Sequence, residues 1–203
     1  MIMKPCTNHP PEEFLLDYAT GSLPDAFALI LATHACMCPA CHQNIRALET
    51  LGGFLSMQAS GEKTNALPTP APSLPDTSCI PLPPITGWMG LRTLPSCLAH
   101  CMEDVPPPSA WPEILPGIRA FPLPSVDAKL HLLSFAKGVQ APNHCHDGLE
   151  MTLVLDGELQ DGKTLFSIGD VATCDTGDCH APKAGSRRNC LCLWATENDL
   201  VFL

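Results

Sequence analysis

Three histidines and one glutamate in the C-terminal half of the chain have a spacing that suits metal ligation. His144 and His146 are two residues apart, Glu150 follows after three intervening residues, and His180 closes the glycine-containing block 169–180. Three imidazoles and one carboxylate suit zinc, iron(II), manganese or nickel, and these donors do not choose among the four metals. A single histidine is more often structural, but the joint spacing favours a metal site.

The same block resembles the metal-binding motif of the cupins. Gly138 and Gly157 flank the histidine pair and the glutamate at the spacing of the first cupin block, and residues 169–180 resemble the second. The resemblance implies a double-stranded β-helix barrel in which the four residues bind one metal ion. Two positions depart from the usual motif: Asp175 stands where cupins often have proline, and Ala184 where they often have asparagine.

The alternation of short apolar runs and glycine turns in the C-terminal part independently predicts a small all-β barrel. Short apolar runs predict strands at residues 131–135, 150–155, 169–173 and 190–194. Glycine turns such as Asp156-Gly157 divide them. Alternate residues of a barrel strand face inward, so His144 and His146 are expected to point into the barrel. Residues 85–124 contain short apolar patches among prolines and are expected to be irregular.

A second candidate metal site lies near the N-terminus. His34, Cys38 and Cys41 follow the pattern His-x3-Cys-x2-Cys. Residues four apart share one helix face, and a helix N-terminus favours the thiolate, which is the form that binds metal. A closed tetrahedral zinc site needs a fourth ligand, for which His9 is the best candidate. We therefore predict a structural zinc site built from these four residues.

Three helices are expected to position these ligands. The first is predicted at about residues 12–20, where Gly21 ends it, and the second at about 24–37. Pro39 disfavours helical geometry at the preceding residue and is a good first residue for the third helix. The short turn between the first two helices predicts an antiparallel pair, which would bring His9 level with the histidine of the second helix.

The N-terminal pattern resembles the zinc-containing anti-sigma domain, and its fusion to a cupin resembles the ChrR family of anti-sigma factors. The stretches 17–23 and 32–34 are also similar to that family. The resemblance implies that the four N-terminal residues ligate zinc. It also implies that the helical domain binds an extracytoplasmic-function (ECF) sigma factor and blocks its use of core RNA polymerase. The family's fourth amphipathic helix has no clear counterpart, because residues 62–84 are too rich in proline; residues 94–102 are a weaker candidate.

The chain contains twelve cysteines. In a cytoplasmic protein this number indicates metal ligation and redox chemistry, not a disulfide framework. Cys145 is expected to point out of the barrel, and Cys174 to be a small hydrophobe. Cys190 and Cys192 face one side of a strand, with sulfurs about 6–7 Å apart, too far for an unstrained disulfide. Their Cys-x-Cys is similar to one in ChrR-like cupins, which implies a role in sensing oxidants.

The charge and composition of the chain limit its possible partners and indicate its domain organisation. The 203 residues carry a net charge of −10, and the only basic pair is Arg187-Arg188, which argues against direct nucleic-acid binding. No secretory signal or membrane span is predicted, so the protein is expected to be cytoplasmic. Fifteen prolines between residues 68 and 124 indicate an extended middle region. We predict an α+β protein with an all-α zinc domain (1–61), a proline-rich linker (62–95) and an all-β cupin domain (96–203).

Two classes of function fit this organisation, and a third is retained. The favoured one is a regulator that inhibits a group IV, sigma-E-like ECF sigma factor as a 1:1 heterodimer. Its cupin metal would sense singlet oxygen or organic peroxide, as in related proteins. The alternative is an enzyme, a metal-dependent cupin dioxygenase or thiol oxygenase with an accessory zinc domain. A metal-storage or metal-sensing protein is the third, since fold analogy alone does not exclude it.

Overall fold

The computed structural model describes residues 5–59, 96–102 and 104–202. Its first part contains three helices, α1 (Glu12–Thr20), α2 (Asp25–Met37) and α3 (Pro39–Ala59). Gly21 follows α1 in the left-handed conformation with φ of 71°, and its N–H and that of Ser22 bond back to carbonyls of the last turn. The three predicted helices are therefore confirmed, and the observed bounds of α1 and α2 lie within a residue of those expected.

The break between α2 and α3 lies at Cys38, whose φ of −121° and ψ of 100° are extended. Pro39 produces this conformation because its ring clashes with a helical residue before it. The expected antiparallel pairing of α1 and α2 is wrong, since the two helices meet at a bend of 110°. None of the described helices is by itself long and apolar enough to cross a bilayer.

The remainder of the described chain is mainly β-structure, apart from a short helix α4 (Ser96–Ala99) and two 3₁₀ turns. Its strands are β1 (Glu113–Leu115), β2 (Ile118–Pro122), β3 (Lys129–Phe135), β4 (His144–Cys145), β5 (Glu150–Asp156), β6 (Glu158–Asp161), β7 (Thr164–Ser167), β8 (Val171–Cys174), β9 (Cys179–His180), β10 (Lys183–Ala184), β11 (Cys190–Thr196) and β12 (Val201–Phe202). They form a six-stranded sheet in the order β1-β2-β3-β11-β5-β8 and two three-stranded sheets, β10-β6-β7 and β12-β4-β9. The predicted fold class is confirmed: a helical N-terminal part precedes a cupin-like barrel.

The expectation that residues 85–124 are irregular is wrong for β1 and β2. Ile118 and Ala120 are both buried and alternate along β2, which is the pattern of a strand with one face on a core. The prolines at 112, 116 and 122 lie beside or at the end of these strands, where a missing N–H is tolerated. The predicted linker, 62–95, lies outside the described residues.

The helical part packs directly on the outer face of the six-stranded sheet. Helix α2 is apolar around most of its circumference, and Phe27, Ile30 and Leu31 are fully buried. They share one apolar cluster with Leu153 of β5 and Leu193 of β11. The same cluster contains Leu98 of α4 and Met102, so residues 96–102 bury these side chains in the core beneath α2.

One buried carboxylate ties the segment before α1 to the barrel. Asp170 is 1% exposed, and its Oδ1 accepts hydrogen bonds from the backbone N–H groups of Thr7 (2.7 Å) and Asn8 (3.2 Å). Its Oδ2 accepts from the Asn8 side chain (2.9 Å) and from the backbone N–H of Ser167 (3.0 Å). Val171 N–H then donates to the carbonyl of Asn8. This junction, rather than a reversal between α1 and α2, places His9.

Candidate metal centres

The four predicted zinc ligands lie together where α2, α3 and the segment before α1 meet. Their ligand atoms are all within 4.8 Å of one another. His9 Nδ1 is 3.4 Å from the Sγ atoms of both Cys38 and Cys41. A nitrogen and a sulfur bound to one tetrahedral zinc ion stand about 3.5 Å apart at ordinary bond lengths. The cluster therefore has the dimensions of a zinc site.

His34 turns one ring nitrogen to this cluster and the other to the barrel. It is fully buried, and its Nδ1 is 2.7 Å from the carbonyl oxygen of Gly169, to which Nδ1–H donates. Its Nε2 is buried and has no hydrogen-bond partner among the described residues. An unpaired buried nitrogen is costly, and a metal ion would supply the missing partner.

Without a metal ion, the surroundings of Cys41 disfavour its thiolate, contrary to the expectation from the helix N-terminus. Burial and the neighbouring thiol of Cys38 raise the pKa of Cys41 to about 12. A bound divalent ion would hold such a buried thiol as thiolate. Cys6, which sequence reasoning missed, lies beside the cluster, and burial and Cys38 raise its pKa to about 12 as well. Its position three residues before His9 was the signal that the sequence offered.

The four predicted cupin ligands also converge, inside the barrel. The Nε2 atom of His180 is 3.0 Å from the Nε2 atoms of both His144 and His146. Glu150 is 4% exposed, and its carboxylate oxygens lie 3.5 Å from His146 Nδ1 and 3.8 Å from His180 Nε2. Glu150 Oε2 and His146 Nδ1 are buried without a hydrogen-bond partner among the described residues. Three imidazole nitrogens and a carboxylate oxygen within 4.8 Å of one another fit one divalent ion.

Two of these histidines are oriented through their second nitrogen. His180 Nδ1–H donates to Asp161 Oδ2 at 2.6 Å, and His144 Nδ1–H donates to the Pro142 carbonyl at 2.9 Å. Both bonds turn Nε2 towards the centre of the cluster. Asp161 was not predicted as a site residue, because it becomes a neighbour of His180 only through the barrel fold.

Burial and mutual repulsion set the protonation of the cupin cluster. Burial, together with the charges of His180 and His144, lowers the pKa of His146 to about 4. Burial also acts to lower the pKa of His180, but its hydrogen bonds to Asp161 and Cys174 raise it to about 10. Burial raises the pKa of Glu150. Burial likewise lowers the pKa of His144. His144 and His146 are therefore held neutral, as metal ligation requires, and the carboxylate of Asp161 stabilises the charged form of His180.

A largely apolar cavity of about 90 Å³ lies in the barrel beside the cluster. His144 and Glu150 form part of its wall, together with apolar side chains that include Leu133, Phe135 and Trp194. Such a cavity admits a small, weakly polar molecule to the neighbourhood of the metal ligands.

The cysteines of the barrel differ from expectation in three respects. Cys145 and Cys179 form a disulfide, whereas the sequence indicated none. The sulfurs of Cys190 and Cys192 are 3.6 Å apart, not 6–7 Å, because the strand repeat fixes the backbone spacing while the two side chains lean together. Cys174 is not a simple hydrophobe, since its Sγ is 3.5 Å from His180 Nδ1.

A further pair of thiols, Cys36 of α2 and Cys97 of α4, was not indicated by the sequence. Cys97 Sγ is 3.5 Å from the hydroxyl of Thr33. Hydrogen bonds from Cys36 and Thr33 lower the pKa of Cys97 to about 6, against the effect of burial.

Fold and site together define a class: a His/Cys helical domain packed on a cupin barrel that carries a second, His₃Glu cluster. Residues 107–198 match the family described as the ChrR cupin-like domain. The chain is 31% identical to the anti-sigma-E factor ChrR of Cereibacter sphaeroides over an alignment of 209 positions, which covers 96% of this chain and 92% of that protein. It is also similar to a chain in the crystal structure of Rhodobacter sphaeroides SigE in complex with the anti-sigma ChrR. That match has a TM-score of 0.71 and 32% identity, and it covers 94% of this chain and 98% of the other. The chain belongs to the ChrR family, which confirms the resemblance inferred from its motifs.

Proposed function

We propose that this chain is a cytoplasmic anti-sigma factor that binds an ECF sigma factor of the group IV, sigma-E-like class in a 1:1 complex. Inhibition would be stoichiometric, so the chain itself need not catalyse any reaction. The observation that supports the proposal most strongly is the likeness, over 94% of the chain, to a structure solved as a complex of SigE with ChrR. Because the likeness includes both the helices and the barrel, it favours the same two roles for these parts: sigma binding by the helices and sensing by the barrel.

We place sigma binding on the outer face of α1 and α3. These helices border a groove of about 410 Å³ whose wall includes Leu16, Leu51 and Leu55. The three leucines are 46–57% exposed, although large apolar side chains normally avoid water. Contiguous exposed apolar surface is typical of protein-binding sites.

We assign zinc to the N-terminal cluster as a structural ion and a divalent ion, either zinc or iron, manganese or nickel, to the cupin cluster as the sensor. Singlet oxygen or an organic peroxide would act at the cupin cluster and trigger release of sigma. The two sets of ligands share no residue, but strand β8 connects their surroundings. It begins next to Gly169 and Asp170, which contact the N-terminal cluster and its segment, and it ends at Cys174 beside His180. A change at the cupin cluster therefore has a short path to the sigma-binding helices.

The sigma assignment is tested by co-expressing the full chain with each ECF sigma factor of its source organism and measuring co-purification. We expect one of them to form a 1:1 complex. Leu51→Asp should abolish that complex, because it places a charge in the groove. Leu165→Asp is the matched control, since Leu165 is 49% exposed but lies on the barrel. The assignment is refuted if no sigma factor co-purifies, and the docking face is refuted if the two variants bind equally well.

The apolar cavity beside His144 and Glu150 favours a second candidate, a metal-dependent cupin dioxygenase or thiol oxygenase. In that case the purified, metal-loaded protein should consume oxygen in the presence of a small thiol or apolar substrate. Glu150→Ala should abolish this turnover. Oxygen consumption at the rate of the buffer alone would remove this candidate.

A further inference from the structure

The disulfide between Cys145 and Cys179 crosses the strands that carry the histidines of the cupin cluster. Strands β4 and β9 pair antiparallel, with His144 opposite His180 and Cys145 opposite Cys179. The Cα atoms of the two cysteines are 4.0 Å apart. Because neighbouring strand residues point to opposite faces, the histidines face the barrel interior and the sulfurs face outward. One covalent bond thus lies on the reverse side of the metal cluster.

Backbone hydrogen bonds also join the two segments, among them the bond from the Ala141 N–H to the Pro182 carbonyl before β4. Strands β4 and β9 themselves are short. Each is only two residues long. Beyond them, His146 N–H donates to the Asp178 carbonyl, and Gly177 N–H donates to the His146 carbonyl. The other edge of β4 pairs with the two-residue strand β12. The disulfide adds a covalent restraint that hydrogen bonds alone do not supply, so it limits how far the two strands, and with them the histidines, can separate.

The disulfide is also accessible. Cys179 is exposed and Cys145 is partly buried, whereas Cys190 and Cys192 are fully buried on the inner side of β11. Soluble oxidants and reductants therefore reach the Cys145–Cys179 pair directly, which thiol exchange and peroxide attack both require.

We propose that Cys145 and Cys179 are a reversible oxidation site that controls how tightly the cupin cluster retains its metal. In the reduced protein, the thiolate of Cys179 attacks the O–O bond of a hydroperoxide, forming a sulfenic acid and releasing the alcohol after protonation. The Cys145 thiol then displaces water from the sulfenic acid and closes the disulfide. A dithiol restores the pair by donating two electrons and two protons, and becomes a disulfide itself.

The closed disulfide fixes β4 against β9, and therefore His144 and His146 against His180. In the dithiol form the strands separate more readily, so a ligand dissociates more often and the metal escapes faster. This inference rests on the proposed metal at the cupin cluster and is independent of the sigma partner.

The test uses the full chain loaded with Zn²⁺. Zinc release to a chromogenic chelator is followed for protein oxidised with an organic hydroperoxide and for protein reduced with a phosphine. The kinetic phase that His146→Ala removes belongs to the cupin cluster. We expect this phase to be about tenfold slower in the oxidised protein, at the lower end of what outer-shell changes do to metal sites. Cys145→Ser should release zinc at the fast rate under both conditions. Cys101→Ser, which changes a partly buried cysteine away from the cupin cluster, should keep the redox dependence.

Peptide mapping by mass spectrometry should show the Cys145–Cys179 linkage after peroxide and its loss after reduction. Equal release rates of oxidised and reduced wild-type protein would overturn the proposal, and so would peroxide-treated protein in which both thiols stay free. Wild-type protein that binds no more zinc than His146→Ala would overturn the cupin metal as well. That outcome differs from equal zinc-release rates in a protein that binds two equivalents of zinc. Equal rates with two zinc ions bound would overturn the redox control and leave the cupin metal site intact.

Discussion

Replacing Asp170 with alanine should loosen the junction between the helical part and the barrel. The buried carboxylate accepts hydrogen bonds from the backbone N–H groups of Thr7, Asn8 and Ser167 and from the side chain of Asn8. Each buried donor left without an acceptor costs about 1–3 kcal/mol. Donors that share one acceptor are not additive, and some regain water, so we expect a total loss of about 3–5 kcal/mol.

Thermal unfolding followed by circular dichroism at neutral pH measures this loss. For a chain of this size, 1 kcal/mol corresponds to about 2–4 °C, so Tm should fall by roughly 6–20 °C. Asp104→Ala is the matched control, since Asp104 is exposed, and it should change Tm little. A Tm for Asp170→Ala within about 2 °C of the wild type would refute the role given to this carboxylate.

The hydrogen bonds to the Asp170 carboxylate also predict how the stability of the protein depends on pH. Burial acts to raise the pKa of Asp170, but the hydrogen bonds from Ser167, Thr7 and Asn8 outweigh it and lower that pKa. A lowered folded-state pKa contributes stability that is present above the unfolded-state pKa, about 3.9, and is lost as pH falls through the folded value. The stability gap between wild type and Asp170→Asn should therefore stay constant from about pH 5 to 8 and close below about pH 4. A gap that persists into the acid range would contradict this account.

Three further outcomes follow from the two metal clusters. Cys38→Ser combined with Cys41→Ser should lose one zinc per chain and unfold the helical part, as judged by elemental analysis and circular dichroism; retention of all metal would contradict the assignment. Glu150→Ala should empty the cupin cluster and leave repression of a sigma-dependent reporter intact but unresponsive to singlet oxygen or peroxide, so normal induction would argue against a cupin sensor. Asp161→Asn should weaken metal affinity of the cupin cluster by about 10–100-fold in competition titrations, because it removes the carboxylate that orients His180; unchanged affinity would show that His180 needs no such partner.

The helices and four of the strands could be predicted because their signals are local. Proline before a helix, glycine after one and apolar runs between glycine turns act within a few residues, and the structure confirms α1, α2, α3, β3, β5, β8 and β11. Strands β1 and β2 were missed because prolines dominate their surroundings in the sequence. Their strand character comes from pairing with β3, which no local signal reports.

The angle between α1 and α2 was predicted wrongly for a related reason. Loop length limits how two helices can be connected, but the surface on which they pack sets their angle. Here α2 lies against the barrel and α1 against α3, so the pair meets at 110°.

The sequence by itself determined which residues assemble into the two clusters and the family of the chain. Ligand spacing is a local property, since residues four apart share a helix face and residues two apart share a strand face. Only the tertiary structure decided what surrounds those ligands: Asp161 behind His180, Gly169 behind His34, Asp170 at the domain junction, and the bond between Cys145 and Cys179. Each of these contacts joins residues that are distant in the chain, or that meet only through strand register. Register and domain packing result from the burial of apolar surface across the whole fold, so no short pattern could specify these partners.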